Sequence, residues 1–136
     1  MKKLFFILFS IALFTSCSED DDANGDDDIV GTWFIAEING IQEFELTDCN
    51  QESFITFNSD NTTYSEYYVD SSASCTLDDE TSSEWEKDGE IYSFTLPVDL
   101  DGFENVSGTI SFNSDLTEFT FTPSLIPSAS IVFEKR

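Results

Sequence analysis

Between Ile29 and Arg136 no stretch holds the three- and four-residue apolar spacing of an amphipathic helix. Apolar and polar residues alternate instead in short runs bounded by turn residues, and Thr, Ser, Phe, Ile, Val and Tyr are abundant. That pattern predicts an all-β domain. Its clearest hairpin is Trp85-Glu86-Lys87-Asp88-Gly89-Glu90-Ile91-Tyr92, where Asp88-Gly89 supplies the positive-φ pair of a two-residue turn. Pairing Lys87 with Glu90 sets Trp85 opposite Tyr92, Ser83 opposite Phe94 and Thr81 opposite Leu96. One face then carries Trp85, Tyr92, Phe94 and Leu96, and the other Glu84, Glu86, Ser93 and Thr95. Such a sheet has one buried and one wet face.

A turn recurs: Phe57-Asn58-Ser59-Asp60-Asn61-Thr62 returns as Phe112-Asn113-Ser114-Asp115-Leu116-Thr117. Asn, Ser and Asp favour turns by bonding nearby backbone groups. Asn61 accepts a left-handed conformation that Leu116 resists, so the second loop is expected to be built differently. Across it, Ile110, Phe112, Phe119 and Phe121 share one face, with Ser111, Glu118 and Thr120 on the other. In the first hairpin Ile55 and Phe57 face Tyr64, while Phe54 and Tyr67 lie opposite. Either both faces are covered there or a bulge changes the phase. Val30–Ile38, Gly40–Leu46 and Ser130–Lys135 bring the total to eight or nine strands. Sequential hairpins point to a small antiparallel up-and-down barrel of about eight strands rather than a Greek-key sandwich. Closure removes sheet edges that few lysines protect.

The domain at 29–136, about 108 residues, is of ordinary size for one core. Residues 18–28 hold no apolar side chain larger than alanine and seven acids, which predicts a disordered, self-repelling tether. Before it, Lys2-Lys3, the mostly apolar Leu4–Phe14 and Thr15-Ser16-Cys17 read as a secretory leader, too short to span a bilayer. The cysteine after the small residues resembles the lipobox of bacterial lipoproteins. The resemblance implies a signal peptide at 1–16, a lipidated Cys17 and an acidic tether through 28. A cysteine bearing more than one acyl chain anchors stably, at about 0.8 kcal/mol per buried methylene. Acids directly after it resemble the surface-export signal of Bacteroidota lipoproteins. The expected location is the outer membrane with the domain exposed at the cell surface; the periplasmic face is the alternative.

Loss of 1–16 takes Lys2 and Lys3 but no acid, so the net charge of −23 becomes about −25. Such a surface repels nucleic-acid phosphates and anionic headgroups, leaving the lipid on Cys17 as the expected membrane contact. Histidine is absent, which removes the usual general base, the usual zinc ligand and Ser–His or Cys–His nucleophile pairs. With Cys17 acylated, Cys49 and Cys75 remain as an even pair in an oxidising compartment, and a disulfide is expected. Closing about 27 residues stabilises a fold by roughly 3–4 kcal/mol in the chain-entropy picture.

Gly31-Thr32-Trp33 looks like the Gly-x-Trp opening of lipocalins. The order that follows is a first cysteine, the Phe-Asn-Ser-Asp-x-Thr turn, a second cysteine and a Trp-bearing hairpin. It resembles the lipocalin-like domains of Bacteroidota lipoproteins over most of Val30 to Arg136. The resemblance implies a small antiparallel barrel with a capacity for small apolar ligands. It also implies a basic side chain over the first tryptophan, for which Lys135 and Arg136 are the candidates. Gly31 and Trp33 are therefore markers of the fold, with Trp33 a core plug.

Ten phenylalanines follow the leader, and they either line a cavity or fill it. For a pocket the candidate lining is Trp85, Tyr92, Phe94, Ile110, Phe112 and Phe119, with Tyr64 as a polar handle at one mouth. Asp99 to Glu104 lacks the ligand spacing of a calcium loop, and neither a metal nor a cofactor is expected. The leading function is a non-catalytic, lipid-anchored envelope protein carrying a small hydrophobic ligand. The alternative is a surface module that binds protein (an inhibitor, adhesin or accessory subunit) through loops around Asp78-Asp79-Glu80 and Pro97–Asn105, with a filled barrel.

Overall fold

The computed structural model describes residues 27–42, 44–98, 100 and 104–136. The leader, Cys17 and the acidic segment to Asp26 lie outside the described residues, as do Asp99 and 101–103. Among the described residues the alternating sequence becomes nine antiparallel strands: β1 Gly31–Asn39, β2 Phe54–Phe57, β3 Thr62–Ser71, β4 Ser74–Glu84, β5 Glu86–Asp88, β6 Ile91–Thr95, β7 Asn105–Phe112, β8 Glu118–Pro123 and β9 Ser130–Glu134. A single 3-10 turn, Asn50–Glu52, interrupts them among the described residues.

All nine belong to one sheet in the order β4-β3-β2-β1-β9-β8-β7-β6-β5. The first and last strands pair, as closure of an up-and-down meander requires. The two ends of the order, β4 and β5, are consecutive in the chain and separated only by Trp85. The sheet therefore curls until its ends are two halves of one bent strand, β4 pairing with β3 and β5 with β6. At Trp85 the chain itself joins the two ends of the sheet, and the Trp85 N–H donates to Asn61 O at 2.9 Å, continuing the β3–β4 ladder. Farther along β4, no strand pairing joins it to β6 among the described residues. A seam is left open there, crossed by a bond between the Thr95 and Ser83 hydroxyls at 3.0 Å.

Aromatic rings fill the interior. Phe57 meets Trp85 and Phe94 edge-on at 6.0 and 5.1 Å, Phe94 meets Phe121 at 4.8 Å, and Phe119 lies between Trp33 (4.7 Å) and Phe133 (4.8 Å). Trp33 is fully buried, and its Nε1 donates to Ile29 O at 2.6 Å. Trp85 Nε1 donates to Asn58 O at 3.0 Å, so both indoles satisfy their one donor.

Several expectations need correction. The Trp85 hairpin pairs Asp88 with Ile91 and Lys87 with Tyr92, so its two-residue loop is Gly89-Glu90. Gly89 alone takes positive φ (62°), the signature of a turn with glycine at its first central position. The shift is of two residues, so every side chain keeps its predicted face. Gly40–Leu46 forms no strand among its described residues: Gly40 turns at φ 75°, and a Cβ there would lie 2.3 Å from Ser128 O. Ile41, Phe44 and Leu46 pack on the core instead. Leu116 does adopt the left-handed conformation (φ 55°), as Asn61 does (φ 65°). The second loop still differs by one residue, because Asn113 Oδ1 accepts from the N–H groups of both Thr117 and Glu118.

Candidate functional site

The β3–β4 hairpin outruns the rest of the sheet. The pairing of β2 with β3 ends at Phe54 and Glu66, so beyond Glu66 the two strands pair only with each other. Such a ribbon is marginal by itself. Three ties hold it to the 40–53 segment: the Cys49–Cys75 disulfide (Cα–Cα 5.3 Å), Asn50 Nδ2 donating to Tyr68 O (3.0 Å) and the Tyr68 N–H donating to Ser53 Oγ (2.9 Å). Within the ribbon, Tyr67 pairs with Asp79 and Tyr68 with Leu77, leaving Asp78 as an extra residue. A bulge of this kind breaks the strict alternation of faces and re-aims side chains. Asp78 and Asp79, adjacent in sequence, consequently both border the seam.

The seam contains a cleft of about 420 Å³. Ser65 and Tyr67 of β3 line it with Asp78, Asp79 and Thr81 of β4; opposite stand Thr95 at the end of β6, then Leu96, Pro97, Val98 and Glu104. The Leu96 N–H donates to Glu104 O at 2.9 Å, holding the two ends of the β6–β7 connection together. Leu96 and Val98 are part of the buried core and Pro97 is fully buried, so the cleft exposes only their edges beside half-buried Tyr67 and an acidic rim. None of the ion pairs among the described residues involves Asp78, Asp79 or Glu104. The three described cations act elsewhere. Lys87 binds Asp27, Lys135 Nζ sits 4.4 Å from the Trp33 ring centroid, and Arg136 joins Glu134 and Glu52 while lying over Phe34.

At the opposite end of β6, Tyr92 Oη donates to Asp27 Oδ1 at 2.9 Å, beside Lys87 and the Ile29 N–H. Partial burial works to raise the Asp27 carboxyl pKa, but the bonds from Lys87, Tyr92 and Ile29 outweigh it and hold the value below the ordinary one. The Lys87 ammonium is shifted up, first by its bond to Asp27.

The candidate ligand residues fall into two groups. Trp85, Tyr92, Phe94 and Phe119 are buried in the aromatic core, and Ile110 and Phe112 are partly buried against it; none borders the cleft. Tyr64 is not at a barrel mouth. It pairs with Thr56 on the outer face, packs on Phe54 at 6.1 Å and donates to Glu66 at 2.7 Å. Its hydroxyl pKa is pushed up to about 12, first by that bond. Phe34, Phe54 and Tyr68 share this outer face with Glu52 and Cys75 around a second, shallower groove. The first hairpin is paired without a bulge, and its faces are the reverse of the expectation: Tyr64 shares the outer face with Phe54, while Tyr67 packs against the core on the side of Ile55 and Phe57, and the only register shift of β3 lies in its pairing with β4 among the described residues. The expected loop around Asp78-Asp79-Glu80 is instead part of strand β4, and only the segment at Pro97 is a connection between strands. Leu96 was legible as apolar from its place on the Trp85 face, whereas nothing in the spacing marked Tyr67 or Val98. Among the described residues no group of three His, Cys, Asp or Glu is placed to hold a metal.

Nine meandering strands, an aromatic core and a tryptophan in the first strand beneath a lysine from the chain's end define an antiparallel barrel of the lipocalin kind. The model of the lipocalin-like domain family matches residues 29–122, and the chain belongs to that family. No curated protein and no solved structure matches it significantly.

Proposed function

We propose that this is a lipid-anchored, non-catalytic binding protein of the bacterial cell envelope that takes a small ligand with an apolar part. The lipocalin-like domain is typically a binding domain rather than a catalyst, which supports the reading. The observation that carries it is the cleft: Tyr67 and the edges of Leu96 and Val98 border an open seam, while aromatic rings fill the interior. Its volume lies in the range of small-molecule sites, roughly 300–1,000 Å³. The ligand is therefore taken at the side of the barrel rather than in its centre. The anchor is Cys17 after removal of 1–16, with residues 17–28 as tether and the outer membrane as location, the domain exposed at the cell surface.

Two experiments test this. An environment-sensitive apolar dye should bind the protein and be lost on Thr81→Trp, which fills the cleft from β4. Retained dye binding would show that the cleft is not the site. Full-length chain expressed in a bacterium that processes lipoproteins should incorporate labelled fatty acid and stay with the membrane. Incorporation that survives Cys17→Ala would overturn the anchor.

A further inference from the structure

We propose that the outer edge of β4 docks an extended, cationic segment of another protein, which adds to the sheet as a further strand. Such docking goes beyond the small ligand of the cleft and does not depend on it. β4 ends the strand order, and among the described residues it pairs with β3 alone. One residue pair shows where its backbone points. Tyr68 donates its N–H to Ser53 Oγ and accepts at its carbonyl from Asn50 Nδ2, so both groups turn away from β4. In an antiparallel ladder such a residue belongs to a non-hydrogen-bonded pair, and its partner turns both groups away as well. That partner is Leu77. Its N–H and C=O therefore aim at the open side, where no backbone bond takes them among the described residues. Every residue from Ser74 to Glu80 is exposed.

The two edges of the ribbon are treated differently. Beyond Glu66 the β3 edge is covered by the 40–53 segment, through the bonds to Ser53 and Asn50. The disulfide from that segment ends on Cys75, in β4 itself. The open edge is thus presented in a fixed shape, which lowers the ordering cost of adding a strand. Charge then selects the occupant. Asp78 and Asp79 border the cleft, while Glu80 reaches Tyr64 Oη on the outer face, so acids flank the edge on both sides. A second copy of this edge would set acid against acid, which disfavours pairing. A strand bearing lysine or arginine on both faces meets opposite charge instead. Main-chain bonds supply its affinity and side chains the choice of partner.

The test uses the mature chain from residue 17 onward with Cys17→Ser, and an acetylated octapeptide of lysine and threonine with lysines on both faces of its strand. Binding, read by anisotropy of the labelled peptide, should weaken at high salt and slow amide exchange within 74–82. The same peptide N-methylated at two adjacent central residues keeps every charge but loses a donor on each edge. It should bind at least about tenfold more weakly. Glutamates in place of the lysines should abolish binding. The triple variant Asp78→Asn, Asp79→Asn, Glu80→Gln should lose about tenfold for the lysine peptide, and its exposed positions are expected to leave the fold intact. Equal binding of the plain and N-methylated peptides would reduce the contact to charge and overturn strand addition. Self-association of the chain, seen by sedimentation and lost on Leu77→Pro, would give the edge to a second copy and overturn the cationic partner. Absence of peptide binding would overturn the proposal outright; apolar dye that still binds, and is lost on Thr81→Trp, would leave the cleft standing.

Discussion

The Lys87 ammonium is bonded to the Asp27 carboxylate across 60 residues of sequence, and it lies 4.9 Å from the ring centroid of Tyr92, which bonds the same carboxylate. One of the few cations in the chain is thus spent where the barrel begins, at the narrow hairpin of β5 and β6. Asp27 is the first described residue of the chain's N-terminal side, and the contact ties that point to the hairpin.

Asp27→Asn should lower stability by about 1 kcal/mol at pH 7, the scale of a screened pair whose lysine side chain is 40% exposed. The sign of the pH dependence follows from the shifts. The folded-state carboxyl pKa is depressed, so its contribution is present above the unfolded value near about 3.9 and is lost as pH falls through the folded one. Lys87 is raised, so its contribution persists up to about pH 10 and is lost as pH climbs through the folded value. The gap between wild type and Asp27→Asn, read by urea denaturation, should be flat from pH 6 to 9 and close below about pH 4. A constant gap down to pH 2 would contradict the assignment.

Replacing both cysteines, Cys49→Ser with Cys75→Ser, should cost about 3.5 kcal/mol for a loop of this length. The loss should also be local. Amide exchange should accelerate most in 67–77, where β3 and β4 have only each other, while β7–β9 change little. Uniform acceleration across the sheet would mean that the disulfide braces the whole barrel.

Leu116→Asn should stabilise the domain by about 0.5–1 kcal/mol, since Leu116 holds φ 55° and its side chain is 38% exposed. Differential scanning calorimetry should show the midpoint rising by a few degrees. A fall would show that the leucine contributes more by packing than its conformation costs.

Gly108→Ala should be severe. A Cβ at Gly108 would lie 2.1 Å from Thr122 O and 2.9 Å from the Phe121 ring, and neither a paired strand nor a packed ring can retreat cheaply. A loss of about 3 kcal/mol or more is expected by chemical denaturation, against about 0.5 kcal/mol for Gly89→Asn, whose site is open and suits a residue tolerant of positive φ.

What could be read from sequence was mostly a matter of parity. The faces of Ile110, Phe112, Phe119 and Phe121 follow from strict alternation, and the Trp85 hairpin kept its faces through an error of two residues. Parity failed wherever one residue was added. Asp78 is such a residue, and two neighbouring aspartates reached one cleft without any pattern announcing it. Tyr64 was misplaced for a related reason, because a hairpin with aromatics on both faces gives no hydrophobic contrast from which to choose a phase. The aromatic residues named as a lining pointed inward as expected, yet direction alone does not distinguish a wall from a filling. That depends on rings meeting across the barrel, as Phe57, Phe94 and Phe121 do.

β6 carries Tyr92, with its bond to Asp27, near one end and Thr95, at the cleft, at the other. Asp27 is held at the first of these, so with Cys17 in the membrane as proposed only the ten residues from 17 to 26 separate the lipid from the domain, and their extended length, roughly 3.3–3.6 Å per residue, caps how far from the bilayer the domain can stand.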